Sequence, residues 1–122
     1  MLYLAIDQHR KQLTVNLRGE DGDVVLRRQV STRWQAVREF MQDMQERGRE
    51  AGGWMVIVEV CGFNDWLLKL LAESGVHEIV LLQPEDRQRQ KTDRRDANRL
   101  GELLWLNRHV WRRGCGCRGC VG

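Results

Sequence analysis

The chain reads as one α/β domain built on a mixed sheet with helices on its faces, and three observations predict it. The first 30 residues alternate apolar and polar positions around short turns, as an antiparallel meander does. Two later apolar runs, residues 55–58 and 79–82, have the continuous β-branched character of strands covered on both faces. Between and after them, apolar residues recur at helical spacing. The order is therefore βββαβαβα.

Residues 3–6 form an apolar run ending at Asp7, and Leu13, Val15 and Leu17 then alternate with polar partners before Glu20-Asp21-Gly22-Asp23. Residues 24–30 supply the third strand. Thr32 with Gln35 makes a capping-box pattern, and Trp34, Val37, Phe40, Met41 and Met44 then predict a helix closed at Gly48, with Arg38, Glu39, Asp43 and Glu46 on its other face. After Gly52-Gly53, the strand 55–58 ends at Glu59. Asn64 suits the N-cap of a second helix through Leu67, Leu68, Leu70 and Leu71, and Gly75 suits its C-terminal stop. Residues 79–82 read as a buried strand ended by Pro84. A basic connector leads to a last helix from about Asp93, with Ala97, Leu100, Leu103 and Leu104 on its apolar stripe. Trp34, Trp54 and Trp66 are expected in the core. Trp105 and Trp111 are expected as apolar surface awaiting a partner.

With 122 residues there is room for one domain and a sizeable core. No apolar run approaches the roughly 18 residues of a membrane span, and no export signal opens the chain, so a cytoplasmic protein without a membrane partner is expected. Cys61 stands alone and Cys115, Cys117 and Cys120 crowd the last eight residues, which is no disulfide framework. Residues 1–86 carry 10 Lys/Arg against 14 Asp/Glu, a net −4, whereas residues 87–122 carry 10 against 3, a net +7. Arg87, Arg89, Lys91, Arg94, Arg95 and Arg99 thus have the footprint of a phosphate contact, with a solvated helix face as the plain alternative.

Asp7 and Glu59 are each a carboxylate at the end of a central-type strand, where an ionised group is rarely found unless paired or bound to metal. If those strands are adjacent and parallel, both acids emerge at one sheet edge, where α/β ligand sites form. Asp93 and Asp96, at i and i+3, share a face at a helix start. Four convergent carboxylates call for a divalent cation, and oxygen-only donors suit Mg²⁺ or Mn²⁺. Simpler readings stand beside this: Asp7 as a strand end, Asp93 as an N-cap, Asp96 as a first-turn acid. Glu59, between apolar neighbours, has no such simple reading. His9 and Arg10 fit a solvated strand end better than a phosphate contact.

In order and spacing, Leu4-Ala5-Ile6-Asp7-Gln8-His9-Arg10-Lys11, Val58-Glu59-Val60-Cys61-Gly62 and Lys91-Thr92-Asp93-Arg94-Arg95-Asp96-Ala97 resemble the DEDD transposases of bacterial insertion sequences, the bridge-RNA-guided recombinases. The resemblance runs from about Leu2 to about Arg108, and its Lys-Thr-Asp-x-x-Asp-Ala element is its most specific part. It implies a ribonuclease H-like, RuvC-like α/β fold in which Asp7, Glu59, Asp93 and Asp96 bind Mg²⁺ (or Mn²⁺) and take part in DNA strand cleavage and exchange. It also implies oligomers acting on DNA with a structured guide RNA, and a second domain bearing a serine nucleophile. Ser31 and Ser74, the chain's two serines, match no such nucleophile.

Residues 1–108 are thus expected to form the N-terminal domain of a transposase, inactive alone, and residues 109–122 an aberrant tail. The tail's CxCxxC spacing lacks a scaffold for a soft metal, and a frameshift near Trp111 accounts for it better. The competing functional reading is a non-catalytic nucleic-acid-binding or interaction module with the same fold.

Overall fold

The computed structural model describes residues 1–9, 11–59, 65–82 and 97–112, and the side chains of all of these but 111 and 112. Strands β1 (Leu2–Gln8), β2 (Gln12–Arg18) and β3 (Val24–Ser31) form the expected antiparallel meander. Helix α1 (Trp34–Ala51) returns the chain so that β4 (Trp54–Glu59) pairs parallel with β1. Helix α2 (Asp65–Glu73) and β5 (Glu78–Leu82) repeat the crossover, with β5 parallel to β4. Helices α3 (Ala97–Leu106) and α4 (Arg108–Arg112) follow. The sheet order is β3-β2-β1-β4-β5.

Alternation along the strands divides the core. Leu4 and Ile6 of β1, Leu13, Val15 and Leu17 of β2, and Val56 and Val58 of β4 face α1 and α2, where Val37, Phe40, Met41, Met44, Leu67 and Leu71 cover them. Tyr3 and Ala5 of β1 with Met55 and Ile57 of β4 face the other way, where Leu100 and Leu104 of α3 close a smaller cluster. The apolar runs of β1 and β4 thus reflect strands buried on both sides.

Several local expectations need correction. The N-cap of α1 is Arg33 rather than Thr32, without a side-chain cap bond, and the Arg33 N–H donates to Ser31 Oγ at 3.2 Å. Trp34 opens the helix too far out to reach the core and is 59% exposed. The helix runs past Gly48, which is buried where the Trp54 indole lies against it, and ends at Gly52, whose φ of 86° is the left-handed stop that glycine adopts without strain. Strand β5 lies at the sheet edge, so only Val80 is buried rather than the whole run. Trp105 is already engaged within the chain: its Nε1 donates to the Glu20 carbonyl at 3.1 Å and the Arg108 guanidinium stacks 3.9 Å from its ring. Trp54 is buried and Trp66 is partly buried against the larger cluster, as expected. The predicted cap Asn64 and stop Pro84 lie outside the described residues.

Candidate active site

Asp7 and Glu59 are register partners on the adjacent parallel strands β1 and β4. Both continue the alternation Tyr3, Ala5, Asp7 and Met55, Ile57, Glu59, and so stand on the α3 face of the sheet, half-buried at its C-terminal edge. Neighbouring strands lie about 4.8 Å apart, so the two carboxylates are close enough to share a cation. His9, two residues beyond Asp7, turns back so that its Nε2 lies 3.3 Å from Asp7 Oδ2, and its N–H donates to the Gln12 carbonyl at 2.9 Å. The expectation of a solvated strand end overlooked this pairing. The i, i+2 spacing along a strand was the available signal.

Helix α3 is brought down on this face by a close approach. A side chain on Gly101 would place its first carbon 2.5 Å from Asn16 Oδ1, so glycine lets the helix touch β2. Arg18 ties the contact from the strand side, donating to the Asn98 carbonyl at 3.3 Å and to Asn98 Oδ1 at 3.0 Å. Asn16 is level with Ala5 on β1. Asp7 lies two strand residues further, about 6.6 Å on, a rise that about four helical residues match. Stepping back four residues from Gly101 reaches Ala97, buried at the start of α3. The helix therefore runs from the acid edge toward the opposite end, where Trp105 meets the β2–β3 turn.

Asp93 and Asp96 lie outside the described residues, as do Arg87, Arg89, Lys91, Arg94 and Arg95. Arg99 is exposed on α3. Ser74 Oγ donates to the Leu70 carbonyl at 2.8 Å, a structural bond within the α2 stop, and Ser31 accepts from Arg33. The donor chemistry of Asp7 and Glu59 fits a hard divalent ion, for which carboxylate oxygens are the preferred ligands. Among the described residues no set of three potential ligands gathers, so this pair is what the described structure contributes.

Helix α3 packs on β1, β2 and β4. The same face of β3 is open: Arg27, Gln29 and Ser31 are exposed, and Gln29 is level with Thr14 and so with Asp7. No described helix is long and apolar enough to cross a membrane.

Thermus thermophilus RuvC superposes on 99% of this chain and 100% of its own with a TM-score of 0.56 at 12% identity. The chain has the RuvC fold. A second structure, T. thermophilus RuvC in complex with Holliday junction substrate, matches with a TM-score of 0.55 at 13% identity over 99% of each chain. The RuvC-like, ribonuclease H-like architecture expected from the sequence is therefore the observed one. No family model and no curated protein sequence matches the chain.

Proposed function

We propose that this RuvC-like domain cleaves and exchanges DNA strands with the help of Mg²⁺ or Mn²⁺, as part of an insertion-sequence transposase of the DEDD type. The observation that carries the proposal is the registered pair Asp7 and Glu59 on one face of adjacent parallel strands. Two half-buried carboxylates that close would repel each other in water-poor surroundings, and a divalent cation between them relieves it. Asp93 and Asp96 complete the ligand set in this reading, which assigns them by motif resemblance and by their place just before α3.

A divalent ion held there supplies Lewis-acid stabilisation to a phosphoryl oxygen and a more acidic bound water. The protein's own part is to fix the acids. β1 and β4 hold Asp7 and Glu59 level. His9 sets the orientation of the Asp7 carboxylate from 3.3 Å. Leu100 and Leu104 seal the sheet behind the acids against water. The open β3 face beside Asp7 leaves room for a nucleic-acid strand, with Arg27 offering a cation to its phosphates. In the same reading the partners are DNA and a structured guide RNA, the working form is a homo-oligomer, and Arg87, Arg89, Lys91, Arg94, Arg95 and Arg99 grip the backbone.

Calorimetric titration with Mn²⁺ and a nicking assay on branched and single-stranded DNA test the proposal together. Wild-type chain should bind the ion, and Asp7→Asn and Glu59→Gln should weaken binding and remove any nicking. Unchanged metal affinity in both variants overturns it in favour of a binding module, whose DNA affinity depends on salt but not on divalent ions.

A further inference from the structure

Residues 24–38 contain Arg27, Arg28, Arg33 and Arg38 and no Asp or Glu, although they sit in the net-acidic part of the chain. The fold brings much of this stretch to the acid edge. Ser31 ends β3 level with Gln12, and the Thr32 N–H donates to the Lys11 carbonyl at 3.1 Å, which pins the turn into α1 at the same end of the sheet as Asp7 and Glu59. Asp7 and Glu59 stand on the α3 face and α1 lies on the other, but β3 is only about 10 Å from β1, two strand spacings, so a nucleic-acid strand running over this edge of the sheet can touch both. Lys11, Arg27, Arg28, Arg33 and Arg38 are exposed.

Trp34 stands among these cations with 59% of its surface in water. The Arg38 guanidinium lies 5.8 Å from its ring centroid, and on the same side of the sheet Arg28 lies 5.8 Å from the Phe40 ring. No acid occupies the first turn of α1, so the positive end of the helix dipole adds to the field. Glu39, five residues beyond Trp34, lies about 140° around the helix.

We infer that Trp34, flanked by Arg33 and Arg38, is a stacking platform for an unpaired base of the nucleic-acid strand whose phosphates lie along the acid edge. The inference rests on the proposed function for the nature of that strand. Each part of the patch has a use in this role: any base offers a flat face to an exposed indole, and the arginines neutralise the phosphates on either side. A second copy of the chain fits the patch poorly, because a two-fold contact would set its arginines against their own counterparts.

The test measures binding of a short fluorescent single-stranded oligonucleotide to the full chain, beside a duplex of equal length and a strand with abasic sites. Trp34→Ala should weaken single-strand binding roughly 5- to 150-fold, the worth of one stacked base, and Trp34→Phe should restore most of it. The loss should be small on duplex and on the abasic strand. Arg33→Ala with Arg38→Ala should lower the slope of log affinity against log salt by about 0.7 per lost contact. Melting temperature and Mn²⁺ affinity should not move in Trp34→Ala. Single-strand affinity unchanged in Trp34→Ala, an equal loss on the abasic strand, no single-strand binding by the wild-type chain, or a change of oligomeric state in place of DNA affinity each overturns the inference. Nicking that needs Asp7 but ignores Trp34 sinks the stacking role alone. Strand binding that needs Trp34, with metal affinity indifferent to Asp7 and Glu59, sinks the metal reading alone.

Discussion

The two faces of the sheet are built to different ends. On one, α1 and α2 cover the strands with a cluster of sixteen buried residues that reaches from Leu67 and Leu71 to Val30. On the other, α3 closes seven buried residues over β1, β4 and β5, leaves β3 open, and shares the surface with Asp7 and Glu59. A face fully covered by helices leaves the sheet itself no room for substrate, which can meet only the helices' exposed ends. A face covered over its middle and open at one side keeps acids, polar strand residues and solvent together. The first face holds most of the apolar burial and the second holds the chemistry, so variants on the two should separate stability from activity.

The largest separation is expected at the acids. Asp7→Asn should lower Mn²⁺ affinity on the order of 10-fold or more in calorimetric titration while leaving the melting temperature in chelator close to wild type, since the repulsion relieved between adjacent carboxylates offsets the lost contact with His9. Met44→Ala, in the larger cluster and fully buried, should do the reverse: about 2–5 kcal/mol of stability lost in denaturant titration, with Mn²⁺ affinity per folded molecule retained. A Met44→Ala protein that is stable but no longer binds Mn²⁺ would break the distinction between the faces. Gly101→Ala should cost about 1–3 kcal/mol, because the new carbon meets Asn16 and α3 must lift from β2. Since α3 starts at the acid edge, this variant should also lower metal affinity, and an unchanged titration would show that α3 does not position the site. The smallest effect is expected on the outer face of α1, where Arg47 Nε sits 3.0 Å from Asp43 Oδ2 one turn away. Arg47→Ala should cost no more than about 0.5 kcal/mol by thermal melting.

Much of the fold was legible from period alone. Alternation gave β1 to β3, continuous apolar runs gave β4, and helical spacing gave α1 and α2 close to their observed extents and the apolar stripe of α3, whose expected start at Asp93 lies outside the described residues. What misled was the assumption that a residue in an apolar series belongs to the core. Trp34 fits the helical stripe of Val37, Phe40 and Met41, yet it lies at the end of the helix, beyond the strands that would cover it. Residues 79–82 resemble a central strand, and only the sheet order makes them an edge. Trp105 looked like an uncovered surface because its partners, Glu20 and Gly22, are some 80 residues away in the chain. Charge, too, is local. Totals over residues 1–86 concealed a stretch, 24–38, that holds four arginines and no acids.

The candidate site divides in the same way. Asp7 and Glu59 could be nominated from the chain because a carboxylate closing an apolar strand is costly unless something binds it, and that cost is a property of residue type and local pattern. The i, i+2 spacing was enough to point to His9 beside Asp7, but the register and common face of the two acids could not be nominated. Those follow from the pairing of β1 with β4 and from the order of strands around them, and such contacts join residues some fifty positions apart. Local periodicity depends on the few neighbours each residue meets along its own helix or strand, so the sequence sufficed for the elements. Which elements lie side by side depends on packing summed over the whole chain, so the site came only with the tertiary structure.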